Sequence, residues 1–212
     1  MYIPPSDRCL GEAEWRPFVA AQGFGHLAAR GGPDRRRPVV QPTQYILDGD
    51  EVLLHLAAPN PMLDALAEHP EAVLSVAGDW AFIPSDWKTI ADEDPALGIP
   101  TTYYAAVQLA GPVRVERDPA AVAAVLRRQL AELQPGVPVA DPKEAHPAQL
   151  RAIRAIVLTI DDVQAKFKYG GNVDEAHRRA VIARLDERDR PGDRAAAAHT
   201  ARRLEASDPP EP

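Results

Sequence analysis

The stretch "VVQPTQYILDGDEVLLHLAAPNP", residues 39–61, decides how this chain folds. Its centre, "LDGDE", carries an Asp-Gly pair, and glycine tolerates the positive φ that a tight hairpin turn demands. β-branched and apolar residues flank the pair on both sides. The pattern predicts two antiparallel strands, Val39–Leu47 and Glu51–Ala57. Asn60 and Pro61 then predict an abrupt helix start, because Asn caps helices well and Pro fits the first helical position. One histidine, His55, lies inside the second strand. Three roles are open to it: a hydrogen-bonded strand residue, a stacking partner for a flat cofactor, or an axial ligand of a metal cofactor.

Outward from this stretch the strand signals continue. Upstream, "GEAEWRPFVAAQ" predicts a helix with Trp15, Phe18 and Val19 on one face, and "GFGHLAAR" a strand. Downstream, "EAVLSVAGDWAFIPSDWK" is β-rich around Gly78. "IPTTYYAAVQLAGPVRVER" predicts a long β segment broken at Gly111-Pro112. Asp118-Pro119 opens a helix whose face is traced by Val122, Val125, Leu126, Gln129, Leu130 and Leu133. "IRAIVLTIDDVQAKFKYG" predicts one last strand with a polar end. "NVDEAHRRAVIARLDER" predicts a final helix, with Asn172 and Glu175 spaced as a capping-box variant.

Hairpinned strands with few crossover helices favour an antiparallel barrel with helices outside it. The expected class is therefore mainly antiparallel β with flanking helices (α+β). A barrel domain over residues 1–186 is expected. Residues 187–212 lose their apolar face and are expected to form a helical extension that frays into a disordered tail. No glycine-rich phosphate loop or strand–GxGxxG–helix unit occurs.

Composition narrows the function classes. The net charge is −7 over 212 residues, so no global basic field exists to attract nucleic acid. A single cysteine, Cys9, excludes an internal disulfide and a cysteine-cluster metal site. No apolar run approaches the roughly 20 residues needed to span a bilayer, and the N-terminus lacks the pattern of a signal peptide. A cytoplasmic protein is expected.

Few residues stand out as chemically loaded. The histidines at 26, 55, 69, 146, 177 and 199 form no HxH or HxxxH pair, which leaves a multi-histidine zinc site without support. His177 is expected to face solvent, and His199 to lie in the tail. Trp80, Phe82, Trp87, Tyr103 and Tyr104 gather in the β-rich middle, either as packing or as a wall for a flat cofactor. The chain has four lysines against twenty arginines. Lys88, Lys166 and Lys168 lie beside the β segments and are either solvated or grouped to hold phosphates or propionates.

Five stretches together resemble the PaiB-like family, the FMN-binding negative transcriptional regulators. They are "MYIPP", "LLHLAAPNP", "GDWAFIPSDWK", "IPTTYYAAVQLAG" and "KFKYGGNVDEAHRRAVIARL", spanning about residues 1–186. The resemblance implies an FMN-binding-type split β-barrel, usually a homodimer. This chain departs from the family pattern at Ala58 (arginine in the family), at Thr102-Tyr103 (Trp-Asn) and at Gly170-Gly171-Asn172-Val173 (Ser-Gln-Asn-Arg). Those family groups would hold a flavin. His55, Asn60, Pro100, Thr101, Tyr104, Lys166 and Lys168 match.

One branch of that family, the piperazate synthases, uses heme b in place of flavin. They close N5-hydroxy-L-ornithine to L-piperazic acid in antibiotic biosynthesis. The similarity implies His55 as axial metal ligand and catalytic residue, since heme needs only one proximal ligand. It also implies Lys166 and Lys168 as proton carriers or propionate partners. Thr43, Asn60, Trp87, Lys88, Tyr103 and Tyr104 are the expected cofactor-pocket residues. The expected partners are an amino-acid substrate and a second copy of the chain, with neither membrane nor nucleic acid. The alternatives are an FMN-binding regulator and a cofactor-free barrel with a structural role.

Overall fold

The computed structural model describes residues 1–205. Among these residues the elements are α1 Glu12–Gln22, β1 Phe24–Ala29, β2 Val39–Gln44, β3 Ile46–Asp48, β4 Glu51–Ala57, α2 Pro61–Glu68, β5 Glu71–Ile83, β6 Thr101–Glu116, α3 Pro119–Leu133, α4 Pro142–Ala145, α5 Pro147–Arg151, β7 Ile153–Thr159, β8 Asp162–Lys168, α6 Glu175–Arg188 and α7 Asp193–Glu205. The sheet order is β2-β1-β5-β6-β7-β4-β3, with β8 beside β6. The strands pair antiparallel wherever register is defined. The class is α+β, as the hairpin pattern requires.

The Asp-Gly turn lies where the sequence places it. Asp48 faces Glu51 and Ile46 faces Leu53, and Gly49 takes φ +58°. The first strand of the expected hairpin is shorter, however. Only Ile46–Asp48 pairs with β4, whereas Val39–Gln44 pairs with β1, from Ala29↔Val39 to Phe24↔Gln44. Tyr45 divides the two. Its backbone N–H donates to the Gly23 carbonyl at 3.0 Å, and its buried hydroxyl donates to the Val19 carbonyl at 2.6 Å.

The chain forms two compact units. One comprises Arg16–Val76 and Gln108–Gln164; the other comprises Met1–Trp15, Ala77–Val107 and, among the described residues, 165–205. In the first, α3 covers β4 and β7. Leu53, Val122, Val125, Leu150, Ala155 and Val157 form the buried cluster between them. Truncating a buried leucine such as Leu53 to alanine would cost about 2–5 kcal/mol. Asn60 caps α2 as expected, accepting from the Met62 N–H at 2.9 Å. Asp118 caps α3 through the N–H groups of Ala120 and Ala121.

Three sequence expectations are corrected. β6 is not broken at Gly111-Pro112 but runs through it. Gly111 has φ +156°, and a Cβ there would lie 2.0 Å from the Thr159 carbonyl oxygen, so only glycine lets the strand pass. The last strand is two strands, β7 and β8. The N-cap of α6 is Asp174, accepting from His177 N–H, and not Asn172.

The second unit contains α6 and α7. Residues 193–205, within the expected helical extension, form a helix with Ala196, Ala197, His199, Thr200 and Arg203 buried, although His199 was expected in the tail. Small alanines allow close packing, and the polar members are all bonded. Arg203 donates to both carboxylate oxygens of Glu14 at 3.1 Å and to the Arg8 carbonyl at 2.9 Å. His199 stacks on Tyr169 with ring centroids 4.5 Å apart and bonds Asp79 at 2.9 Å. The tail expected beyond residue 205 lies outside the described residues.

Candidate functional site

The expected site residues divide between the two units. Trp87, Lys88, Thr101, Tyr103, Tyr104, Lys166 and Lys168 belong to one; Thr43, His55 and Asn60 belong to the other.

In the first set, strand alternation does the positioning. Successive side chains on a strand point to opposite faces, so Tyr103 is buried while Tyr104 is half-buried on the other face. Lys166 and Lys168 share a face of β8, and both flank Tyr104. Their Nζ atoms lie 5.5 and 6.0 Å from its ring centroid, within cation–π range. Lys166 is held 3.6 Å from Asp7 and donates to the Tyr2 carbonyl at 3.4 Å. Lys168 donates to Thr101 Oγ1 at 2.6 Å. Of the two readings open for the aromatic residues, packing or a wall for a flat cofactor, the described residues do not form a single wall. Trp80 and Phe82 are solvent-exposed, and Trp87 lies under the Arg188 guanidinium at 4.5 Å.

A cavity of about 680 Å³ opens in this unit, lined by Lys88, Thr101, Tyr103, Lys168, Gly170 and further residues of the 89–100 and 172–177 segments. Lys88 Nζ lies 5.9 Å from the Tyr103 ring centroid. Burial, and then the neighbouring charge of Lys168, lower the Lys88 ammonium pKa below the usual lysine range. The Tyr103 hydroxyl is buried and has no hydrogen-bond partner among the described residues. Burial pushes its pKa up to about 12.

His177, expected to face solvent, closes one side of this cavity. Its Nδ1 bonds Asp174 at 2.8 Å and its Nε2 bonds Glu93 at 3.1 Å. The two carboxylates, Glu93 first, raise the imidazole pKa above the ordinary value of 6.5. Because the folded-state pKa is raised, the tie is fully present below about 6.5. It is lost as pH rises through the raised value. Amide exchange in residues 89–98 should therefore accelerate on the alkaline side of that titration. In His177→Gln the exchange should be fast, with no step at that titration.

The other unit presents His55. It is exposed on β4, between buried Leu54 and Leu56. Its Nδ1 lies 2.8 Å from Gln129 Oε1, and Gln129 Nε2 donates to the Leu53 carbonyl at 3.2 Å. A carbonyl only accepts, so the amide nitrogen of Gln129 must face Leu53 and its oxygen must face His55. The proton of neutral His55 then resides on Nδ1. Its Nε2 keeps a free lone pair on an exposed face and has no partner among the described residues. This is the tautomer of a metal-ligating histidine whose second nitrogen is tethered.

Thr43 is buried and donates to the Gln44 carbonyl at 3.1 Å. Asn60 Nδ2 donates to Gln41 at 3.0 Å. Gln129 was visible in the sequence only as a polar residue in an apolar helical stripe. His177 and Glu93, 84 positions apart, left no local signal. Burial pushes the Cys9 thiol pKa up to about 11. Among the described residues no group of three or more His, Cys, Asp or Glu could hold a metal ion. No helix among them is long and apolar enough to cross a membrane.

The model of a family described as "Putative FMN-binding domain" matches residues 1–162. No curated protein matches the chain. Among solved structures, the FAD and heme binding protein from Mycobacterium smegmatis is similar at 21% identity, with 82% of this chain and 78% of that chain covered and a TM-score of 0.59. The flavocytochrome Anf3 from Azotobacter vinelandii is similar at 22% identity, covering 80% and 78%, with a TM-score of 0.53. A conserved hypothetical protein from Mycobacterium tuberculosis is similar at 15% identity, covering 82% and 95%, with a TM-score of 0.57. At these identities the likeness establishes the fold, a split β-barrel of the FMN-binding type.

Proposed function

The chain belongs to the FMN-binding domain family matched over residues 1–162, and from that premise we propose that it is a cytoplasmic, heme-dependent piperazate synthase. The observation that carries the reading is His55, exposed with Nε2 free and Nδ1 tethered to Gln129. Heme b requires a single proximal nitrogen, and this histidine offers one in the required tautomer. Two neighbours of the same fold, by their descriptions a heme and FAD binding protein and a flavocytochrome, make heme an expected guest.

When bound, heme iron supplies a Lewis acid for loss of the N-hydroxyl group. The overall change joins the α-amine nitrogen of N5-hydroxy-L-ornithine to N5, breaks the N5–O bond and releases water, with no external oxidant or reductant. His55 holds the cofactor. Gln129 fixes the ring and keeps the proton off Nε2. Lys166, paired with Asp7 at 3.6 Å, is the proposed proton carrier. The chain is expected to act as a homodimer, which light scattering would test. Trp80 and Phe82, exposed on one face of β5, are apolar side chains such an interface would cover.

Heme-loaded protein should convert N5-hydroxy-L-ornithine to a product lighter by one water; substrate recovered unchanged would overturn the assignment. Gln129→Ala should weaken heme affinity about 10–100-fold, the usual cost of losing an outer-shell partner, while keeping a Soret band at saturating heme. Unchanged affinity would remove Gln129 from the site.

The family's description, an FMN-binding domain, keeps FMN open as the cofactor, and the second reading is an FMN-binding regulator of the PaiB type. Against it stand Ala58, Thr102, Tyr103, Gly170, Gly171 and Val173, which replace the side chains expected around a flavin. Co-purified FMN and salt-dependent DNA binding would establish it.

A further inference from the structure

We propose that a second, smaller cavity, at the end of β1 and the start of β5, binds a free α-amino acid through both of its charges. This goes beyond the cofactor reading and does not depend on it.

The cavity, about 280 Å³, lies just below the range that encloses drug-sized ligands. It is too small for a heme or a flavin and roomy enough for one small metabolite. All its lining residues belong to the unit of Arg16–Val76 and Gln108–Gln164, and none of them lines the cavity beside Lys88. It is also separate from His55. That residue pairs with Ala155 on β7, whereas Thr159, four residues on, pairs with Glu51. At about 3.3 Å per strand residue this is roughly 13 Å. Asp161, which lines the cavity, lies beyond Thr159 in the turn to β8.

Strand alternation builds the walls. Ala28 pairs with Val73. Two residues along, just past β1 and at the first residue of β5, Arg30 and Glu71 continue the same faces. These opposite charges form no ion pair with each other among the described residues, because the ring of His69 joins them instead. Its Nδ1 lies 3.4 Å from Arg30 Nη2 and its Nε2 lies 2.9 Å from Glu71 Oε2. A guanidinium only donates, so neutral His69 accepts at Nδ1 and donates its Nε2 proton to Glu71. Glu71 is thereby occupied, and Arg30 is held with its other N–H groups unused by the described residues. Asp161 supplies the third charge. Its backbone N–H donates to the Ala110 carbonyl at 3.0 Å, which ties the turn to β6. Its carboxylate has no partner among the described residues. Gly111 keeps that carboxylate clear, since a Cβ there would lie 3.1 Å from Asp161 Oδ1.

One open positive group and one open negative group thus face a floor of small residues, Ala28, Ala72, Val73 and Ala110. A guest with a carboxylate alone would leave Asp161 unanswered, and a simple amine would leave Arg30 unanswered. An α-amino acid answers both. Its carboxylate takes the Arg30 guanidinium, its ammonium takes Asp161, and a short apolar side chain rests on the floor.

The test is calorimetric titration of the full-length protein, as purified, with L-valine. Isovalerate and isobutylamine, which keep the carbon skeleton and only one charge each, are titrated beside it. Saturable binding of L-valine, about ten-fold or more tighter than either analogue, supports the site. No saturable binding, or an analogue that binds as tightly, would overturn it. Arg30→Gln and Asp161→Asn should each weaken L-valine binding about ten-fold or more, the scale of losing one charged hydrogen bond. Both side chains are exposed, so the melting temperature should move by no more than about 2 °C. Unchanged affinity in these variants would overturn the site. His55→Ala should bind L-valine as the wild type does; loss of binding there would move the amino acid to the proposed heme site and overturn the second one. The Soret band and the turnover of N5-hydroxy-L-ornithine report separately on the heme reading.

Discussion

His55→Ala protein, purified from cells fed a heme precursor, should lack the Soret band that the wild-type protein carries. His55 is the histidine whose geometry leaves one ring nitrogen exposed and the other tethered. Removing it should not unfold the chain. The side chain is exposed, and its loss frees only Gln129 Oε1, whose amide nitrogen stays bonded to Leu53. The expected cost is about 1 kcal/mol, or roughly 2–4 °C in melting temperature. Loss of colour with a nearly unchanged melt would therefore report ligation and not folding. Added imidazole should restore the band by replacing the missing ligand. A variant that binds heme as tightly as the wild type would end the axial-ligand assignment and return His55 to the surface of β4.

The largest stability effect is expected from Arg203→Met. Arg203 and Glu14 are 7% and 5% exposed and meet at 3.1 Å. Taking away one member of a buried pair strands the other charge, at a cost of about 3–5 kcal/mol. For a chain of this size the melting temperature should fall by roughly 10 °C. The double variant Glu14→Leu with Arg203→Met should recover much of that loss, because no lone carboxylate remains. If the double variant melts as low as the single one, the cost lies in packing around α7 and not in the stranded charge.

Elements with strong local punctuation were legible in the sequence. The Asp-Gly turn set the β3–β4 hairpin, and Asn60-Pro61 and Asp118-Pro119 marked two helix starts through their caps. The departures had non-local causes. Tyr45 splits one expected strand into β2 and β3 because its hydroxyl reaches Val19 and its N–H reaches Gly23. Gly111 reads as a breaker, yet it permits close approach to Thr159. The alanine-rich α7 shows no apolar face because small residues and bonded polar ones make up its buried side.

The site divides the same way. Lys166 and Lys168 were legible as neighbours, since alternate positions on a strand share a face. Their proximity to Tyr104, and the gathering of Lys88, Tyr103 and Lys168 around one cavity, come from tertiary structure. The tether on His55 comes from Gln129, 74 residues away, and no local pattern encodes it.

The matched family segment stops at residue 162, while Lys168, Gly170 and His177, all lining the cavity, come after it. Lys88, Thr101 and Tyr103, which line the other side, lie within the matched segment, so both parts of the chain shape the cavity. Libraries that diversify Lys88, Thr101, Asn172 and Val173 should accordingly alter ligand preference, whereas buried Tyr169 and the close-packed Gly170 and Gly171 must be kept for folding.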